Sequence, residues 1–435
     1  MPSSPRSRGV VPPTYISVAC QDLATFDTIF GLPPPASCYV IYPTGKPVLT
    51  PEDIYTAAGW AWETALDIEY AHTMAPGANI LLVVSPDSGD DLFVDVEYVV
   101  ANHLANFISL SWGAYEDLFY YPPPSYNLLY GYDEIFMQAA AEGIGVFAAS
   151  GDSGAFDTYW LSLNMPMEPS TLYPASDPWV TGVGGTTLKA VISIPTTNRV
   201  EYAWNWNSHY MWGGSGGGYS FTFPETPGQA LIHIVYERTY VYEPDLGVYF
   251  YTVGHRGGVP DIAADADPFT GVLIVLNGII PPYLIGGTSL ATPLSAGMTT
   301  TIQSYLYGTG VDYTIGDLAP NLYLLYHYYL SQFYAWGITY PTSSFFTGIP
   351  GAMFVTLGGQ NGLYWVIQGQ WNPPVDGLGQ INVYGLAHLL PYITSRGSLH
   401  ISNADWLGYS IDIVLKNKNS SLFLYSFLLN INLNQ

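Results

Sequence analysis

From about residue 16 to about residue 386, short apolar runs of β type alternate with longer runs of helical type. The strand candidates are 80–84, 107–110, 145–149 and 180–183, and the helix candidates are 60–74, 133–141 and 294–306. Alternation of this kind leaves few folds open. A strand that is apolar on both faces must be covered on both, and a strand joined through a helix to the next strand runs parallel to it. The spacing predicts an α/β fold, with a mostly parallel sheet and helices on both of its faces. Sheets of that type present their active groups at the carboxyl ends of the strands. Three stretches follow along the chain. Residues 1–14 are rich in Pro and Ser and read as a disordered N-terminus. Residues 15–386 read as one large domain. Residues 387–435 alternate apolar and polar in part (Ser410-Ile411-Asp412-Ile413-Val414-Leu415) and read as a β-rich C-terminal extension, the start of a β-domain cut short.

The stretch Gly287-Thr288-Ser289-Leu290-Ala291-Thr292-Pro293 lies between a strand-like run (271–277) and the helix candidate 294–306. A serine where the chain turns into a helix meets free N–H groups and partial positive charge, which suits a nucleophile that develops negative charge. A plain helix N-cap is the other reading. A serine nucleophile needs a base, usually His oriented by Asp. The chain has 8 His, and none sits in a Gly-rich His-Gly-Thr-His turn of the subtilisin kind. The carboxylates offer more. Glu63 and Asp67 are four apart in a helical segment, hence on one face among apolar neighbours. Like charges at that spacing repel, and a shared proton relieves the repulsion. Two solvated surface acids are the alternative. A third acid, Asp152, follows the buried strand candidate 145–149 in Gly151-Asp152-Ser153-Gly154. It is either a turn former or, if protonated, a hydrogen-bond donor to an oxyanion. The glycines at 213, 214, 216, 217 and 218 precede no Gly-Lys-Ser/Thr, so a nucleotide loop is a poor reading. A flexible surface loop, or one that lets a substrate backbone approach, fits them better.

Taken in order, these pieces resemble the sedolisin family of serine-carboxyl peptidases, enzymes with a subtilisin-like fold that work in acid. The matching stretches are Glu63-Thr64-Ala65-Leu66-Asp67 with Ala75-Pro76-Gly77-Ala78, Ser109-Leu110-Ser111-Trp112-Gly113, and Ala149-Ser150-Gly151-Asp152-Ser153-Gly154. They continue with Tyr173-Pro174-Ala175-Ser176 and Val183-Gly184-Gly185-Thr186, then Ser215-Gly216-Gly217-Gly218-Tyr219-Ser220, residues 256–268, and the Ser289 motif. The resemblance implies that Ser289 attacks the peptide carbonyl, Glu63 takes and returns the proton, and Asp67 orients Glu63 and shares its proton. Asp152, with the Ser289 N–H, holds the oxyanion. Trp112, Gly113, Gly216 and Gly217 are the substrate-binding candidates. In acid a His is fully protonated and useless as a base, whereas an ordinary Glu titrates near pH 4. The family's large N-terminal prosegment has no counterpart in this sequence. Its calcium ligands are replaced, with Phe345 and Asn372 standing where carboxylates are expected, so little or no calcium binding is expected. No cofactor is required for the chemistry. A catalytically inactive homologue, serving as a surface or binding protein, is the alternative.

Composition agrees with an acidic medium. The chain carries 34 acidic and 10 basic residues, a formal charge of −24, yet only 10% of its residues are charged. Neutral carboxyls in acid abolish the self-repulsion of such a surplus. The partners expected are protein or peptide substrates, acting on a monomer. Nucleic acid is excluded for want of a basic patch. No apolar run reaches membrane-spanning length. The expected location is extracellular, although the N-terminus shows no apolar signal core. Cys20 and Cys38 are the only cysteines; they form one disulfide or remain two buried thiols.

Overall fold

The structure, a computed structural model, describes residues 18–48, 50–120, 125–157, 168–193, 196–205, 213–231, 239–243, 248–252, 256–335, 349, 352–354, 356–366, 374–394, 398–405, 408–415 and 423–428. The N-terminal stretch 1–14 lies outside the described residues.

Helix α1 (Ala19–Phe30) stops at Gly31, whose left-handed backbone (φ 72°) lets its N–H cap the Asp27 carbonyl. Strand β1 (Ser37–Ile41) follows, and Cys20 is bonded to Cys38, tying the helix to that strand. Helix α2 (Ile54–Met74) starts earlier than the sequence pattern suggests and stops just before Ala75-Pro76, where proline ends helical hydrogen bonding. Strand β2 (Asn79–Val83) pairs in parallel with β1. Helix α3 (Asp91–Ala101), strand β3 (Phe107–Leu110), helix α4 (Tyr126–Ala141) and strand β4 (Gly145–Ala149) come next. Strand β5 (Thr181–Ser193) runs well past the expected end at 183 because it turns back in an antiparallel hairpin with β6 (Thr196–Ala203).

The central sheet is mostly parallel. Strand β3 pairs with β4, β4 with the start of β5, and β5 with β7 (Ile262–Asp265), all in parallel. Its pleat sorts side chains between two cores. Phe147 of β4 packs on one face with residues of helices α5 (Thr288–Gly308), α6 (Leu318–Ala335) and α7 (Val383–Thr394). Its neighbours Val146 and Ala148 pack on the other face with Val96 and Val100 of α3 and Phe136 and Ala139 of α4. Helices thus cover both faces, as the alternation predicts. The β1–β2 ladder stands apart from this sheet, and a cavity of about 500 Å³ opens between β2 and β3.

Two expectations are corrected. The run 271–277 is not a strand; only isolated bridges form, Val272 to Ile285 and Leu276 to Ile279, around a turn at Asn277 and Gly278 with φ of 52° and 74°. Prolines 281 and 282 bring no N–H to a ladder there. The helix expected to start at 294 starts at Thr288, so Pro293 lies inside it. Helix α7 runs across the expected boundary at 386, as far as Thr394, and beyond it β8 (Ser398–Asp405), β9 (Gly408–Leu415) and β10 (Phe423–Leu428) form an antiparallel sheet.

Candidate active site

Helices α2 and α5 pack closely because α5 carries Gly297 at the contact. A Cβ added there would meet the Ala71 carbonyl and the Met74 Cβ, each at 2.6 Å. Thr301 seals the crossing by donating its hydroxyl to the Met74 carbonyl at 2.6 Å. This crossing sets the Glu63–Asp67 face of α2 against the N-terminal turn of α5, where Ser289 sits. The Ser289 hydroxyl faces Glu63 as a hydrogen-bond donor. Glu63 Oε1 is itself buried, with no hydrogen-bond partner among the described residues. Asp67 Oδ1 accepts from the Ser111 hydroxyl at 2.6 Å. Residues more than 200 positions apart in sequence thereby share one site.

Asp152 enters from the carboxyl end of β4. Its Oδ1 accepts from the Thr288 N–H at 2.7 Å and from the Thr288 hydroxyl at 2.9 Å. The Thr288 Oγ1 in turn accepts from the Gly151 N–H at 3.1 Å. Gly287 makes this possible. Its φ of 100° suits glycine, and a Cβ there would lie 2.8 Å from Asp152 Oδ2. With Oδ1 occupied, Oδ2 is the oxygen left to carry a proton. The N–H of Ser289 lies in the first turn, where a helix offers no internal acceptor.

The electrostatics follow from burial of acids. Burial pushes Glu63 well above the usual carboxylate range, and the Asp67 charge pushes it further. The Ser289 hydroxyl works against that rise, and the Asp152 charge adds to it. Asp67 is raised to about 7 by burial, opposed by the Ser111 hydrogen bond. Asp152 is also raised, by burial first, with both Thr288 hydrogen bonds opposing. The residue is nonetheless exposed by area, so its carboxyl is hemmed in by protein without being closed off from the cleft. An ordinary Glu titrating near pH 4 is therefore not what the site contains. Sequence spacing suggests the shared proton but not the depth of burial that raises both acids.

The other candidate residues are distributed unevenly. Trp112 is half-buried, meets the Phe93 ring edge-on at 5.0 Å, and lines the 500 Å³ cavity together with Asp67. Gly113 is exposed, but a Cβ there would meet the Tyr173 carbonyl at 2.5 Å. Gly216 and Gly217 are buried against backbone: a Cβ on Gly216 would come 1.9 Å from the Ser150 carbonyl, and one on Gly217 would come 2.4 Å from the Pro374 carbonyl. Close packing accounts for these two glycines without a substrate. Phe345 and Asn372 lie outside the described residues. Among the described residues, no group of three or more His, Cys, Asp or Glu is placed to hold a metal ion, and no helix is long and apolar enough to cross a membrane. Sequence reasoning assigns no role to Thr288 or Ser111. Strand alternation beyond β3 was the available signal for Ser111, since it is two residues on from Ser109.

No family model matches the chain. Kumamolisin of Bacillus sp. (strain MN-32) is 35% identical over 269 residues, which is 60% of this chain and 42% of that protein. Tripeptidyl-peptidase 1 of Canis lupus familiaris is 32% identical over 267 residues, and that of Homo sapiens 31%, each match again covering 42% of the relative. The chain thus spans less than half the length of the curated relatives it matches. Among solved structures, a Pseudomonas sedolisin (serine-carboxyl proteinase) complexed with two molecules of pseudo-iodotyrostatin aligns with a TM-score of 0.61 at 25% identity. That alignment covers 89% of this chain and 90% of the other. The relatives that this chain resembles, in sequence and in fold, are sedolisin-family serine-carboxyl peptidases.

Proposed function

We propose that the chain is an acid-acting serine-type endopeptidase that hydrolyses peptide bonds in protein or peptide substrates. One observation carries this reading: the Ser289 hydroxyl faces Glu63, a half-buried acid whose helix neighbour Asp67 is near enough for its charge to act on it, while Asp152 stands across the Ser289 turn. In this reading Ser289 Oγ attacks the substrate carbonyl as Glu63 takes its proton. The tetrahedral oxyanion is held by the Asp152 Oδ2–H and the Ser289 N–H. Glu63 then returns the proton to the leaving amine, and a water repeats the sequence on the acyl-enzyme. Asp67 shares the proton of Glu63 throughout. The active species has Glu63 ionised and Asp152 protonated, which restricts work to a window bounded by the two titrations. No cofactor takes part, and the chain is taken to act as a monomer in an acidic extracellular medium. Trp112 and Gly113 are the best placed of the substrate-binding candidates. Nothing in the geometry favours an inactive binding protein.

The test is cleavage of a denatured protein from about pH 2 to about pH 8 by the wild type and by Ser289→Ala. Cleavage confined to acid and lost in the variant supports the reading. An activity profile peaking at or above neutral pH would overturn the mechanism, and absence of cleavage by a folded wild type at every pH would overturn the enzyme.

A further inference from the structure

Ser111 has one hydroxyl proton and two acceptors for it. Its Oγ is 2.6 Å from Asp67 Oδ1 and 3.2 Å from the Ser289 carbonyl oxygen. A hydroxyl donates once, so both contacts are satisfied only if one of the neighbours supplies a proton of its own. A carbonyl cannot, and a protonated Asp67 can. The Ser289 carbonyl has an unusual need for a donor. In an α-helix its partner is the N–H four residues on, and that residue is Pro293, inside α5, which has no N–H. The proline that follows the nucleophile leaves the nucleophile's own carbonyl without its helical bond, and Ser111 reaches in from the end of β3 to replace it.

We propose that Ser111 is a positioning residue that couples the protonation of Asp67 to the peptide carrying Ser289. With Asp67 protonated, Asp67 donates to Ser111 Oγ, and Ser111 donates to the Ser289 carbonyl, pinning the start of α5. With Asp67 ionised, Ser111 turns its proton to the carboxylate, and the Ser289 carbonyl loses its donor. The pinned state is the one in which Asp67 holds the shared proton and Glu63 is free to act as base. The inference rests on the peptidase reading for its catalytic meaning, but not for its hydrogen bonding. The charges acting on the pair are few: those of Asp67 and Asp152 act on Glu63, while burial and the Ser111 hydroxyl act on Asp67. The Ser111 end of β3 and the first turn of α5 bring no titratable side chain of their own to Asp67.

The test follows the titration of the Asp67 carboxyl by infrared difference spectroscopy, wild type minus Asp67→Asn, in parallel with kcat and KM across pH for a peptide substrate. Ser111→Ala removes the donor that favours the ionised form and moves the Asp67 titration up by about one pH unit. Pro293→Ala restores a helical N–H to the Ser289 carbonyl, frees Ser111 for Asp67, and moves the titration down. In the double variant the Pro293→Ala shift disappears, because it passes through Ser111. Ser111→Thr keeps the hydroxyl and returns both the titration and kcat toward the wild type, with KM little changed in every variant. Equal Pro293→Ala shifts with and without Ser111 would overturn the coupling, as would a Ser111→Ala titration identical to wild type. If the wild type cleaves nothing, the peptidase reading falls alone, and the infrared titration still decides the role of Ser111.

Discussion

Replacing Asp261 with Asn isolates what burial of acids does to the stability of this chain. Asp261 is only 5% exposed. Its Oδ1 accepts from the Tyr323 hydroxyl at 2.6 Å and from Gln229 Nε2 at 3.4 Å, and its Oδ2 accepts from the Gly182 N–H at 2.8 Å. Its partners are neutral groups. Burial accordingly raises it from 3.8 to about 7, against those hydrogen bonds and with help from the Asp317 charge. The sign follows directly. Between 3.8 and 7 the unfolded chain has lost this proton while the folded chain keeps it, so stability falls as pH rises through that interval. Roughly three pKa units at about 1.4 kcal/mol each amount to about 4 kcal/mol for this one carboxyl. For a chain of 435 residues, an unfolding entropy of about 2.1 cal/mol/K per residue turns that into about 4 to 5 °C of Tm. Asn mimics the protonated acid. The variant should melt within about 2 °C of wild type near pH 4 and about 4 °C above it near pH 7.5, read by circular dichroism or calorimetry. A wild type as stable near pH 7.5 as near pH 4 would refute the reasoning. So would an Asn variant that loses as many degrees between the two pH values as the wild type does.

Three further outcomes are expected. Glu63→Gln should lower kcat by about 10² to 10⁴-fold with KM little changed, since it removes the proton acceptor but not the substrate contacts. Asp152→Ala should cost about 10² to 10³-fold in kcat, while Asp152→Asn, which carries donor hydrogens at every pH, should abolish the alkaline limb of the pH profile; an unchanged limb contradicts the oxyanion role. Gly287→Ala places a Cβ 2.8 Å from Asp152 Oδ2 at a φ of 100°, so it should reduce kcat and lower stability by about 1 kcal/mol or more; wild-type kinetics would show that the Asp152–Thr288 contacts do not set the oxyanion geometry.

The architecture is legible in the sequence wherever one residue pattern has one solution. Apolar runs such as 145–149, buried throughout, had to be strands covered on both sides, and β4 divides Phe147 from Val146 and Ala148 between two cores. The boundaries are less legible because they depend on exceptions to local rules. Pro293 marks a helix start in most sequences, yet here the helix runs through it, with a tertiary donor at the orphaned carbonyl of Ser289. The strand pattern at 271–277 gave way to an irregular turn held from outside: Glu69 accepts from the Val275 N–H, and Asp22 accepts from the N–H groups of Asn277 and Gly278. Those carboxylates come from two helices distant in sequence, and no local window contains them. The four candidate catalytic residues were nameable from motif order. Their electrostatics were not, because burial is a property of the packed helices and not of the Glu63–Asp67 spacing.

The same physics governs the candidate site and the core, and this links the acid requirement of the proposed chemistry to that of the fold. In the core, carboxyls such as Asp261, Asp317 and Asp376 are buried and raised to between about 6 and about 7, so each keeps its proton in acid and strains the fold once it must ionise. In the candidate site, burial raises Glu63 well above an ordinary carboxyl and raises Asp152 as well, and the proposed oxyanion role needs Asp152 protonated. Because Glu63 holds its proton more tightly than a free glutamate, forming the proposed active species, with Glu63 ionised and Asp152 protonated, works against the burial of Glu63. A bell-shaped profile cannot by itself say which limb belongs to which acid, since exchanging the proton between two coupled sites leaves the bell unchanged. The Asp67 neighbour resolves the difficulty physically. A proton moved from Glu63 to Asp67 travels one helical turn, leaves the total charge of the pair unchanged, and creates the base without ionising a second buried group. A single acid in place of the pair would have to give its proton to solvent across the full cost of burial. In the proposed mechanism, two acids at i and i+4 convert that cost into an internal transfer, which is a physical reason for such a pair opposite a serine nucleophile.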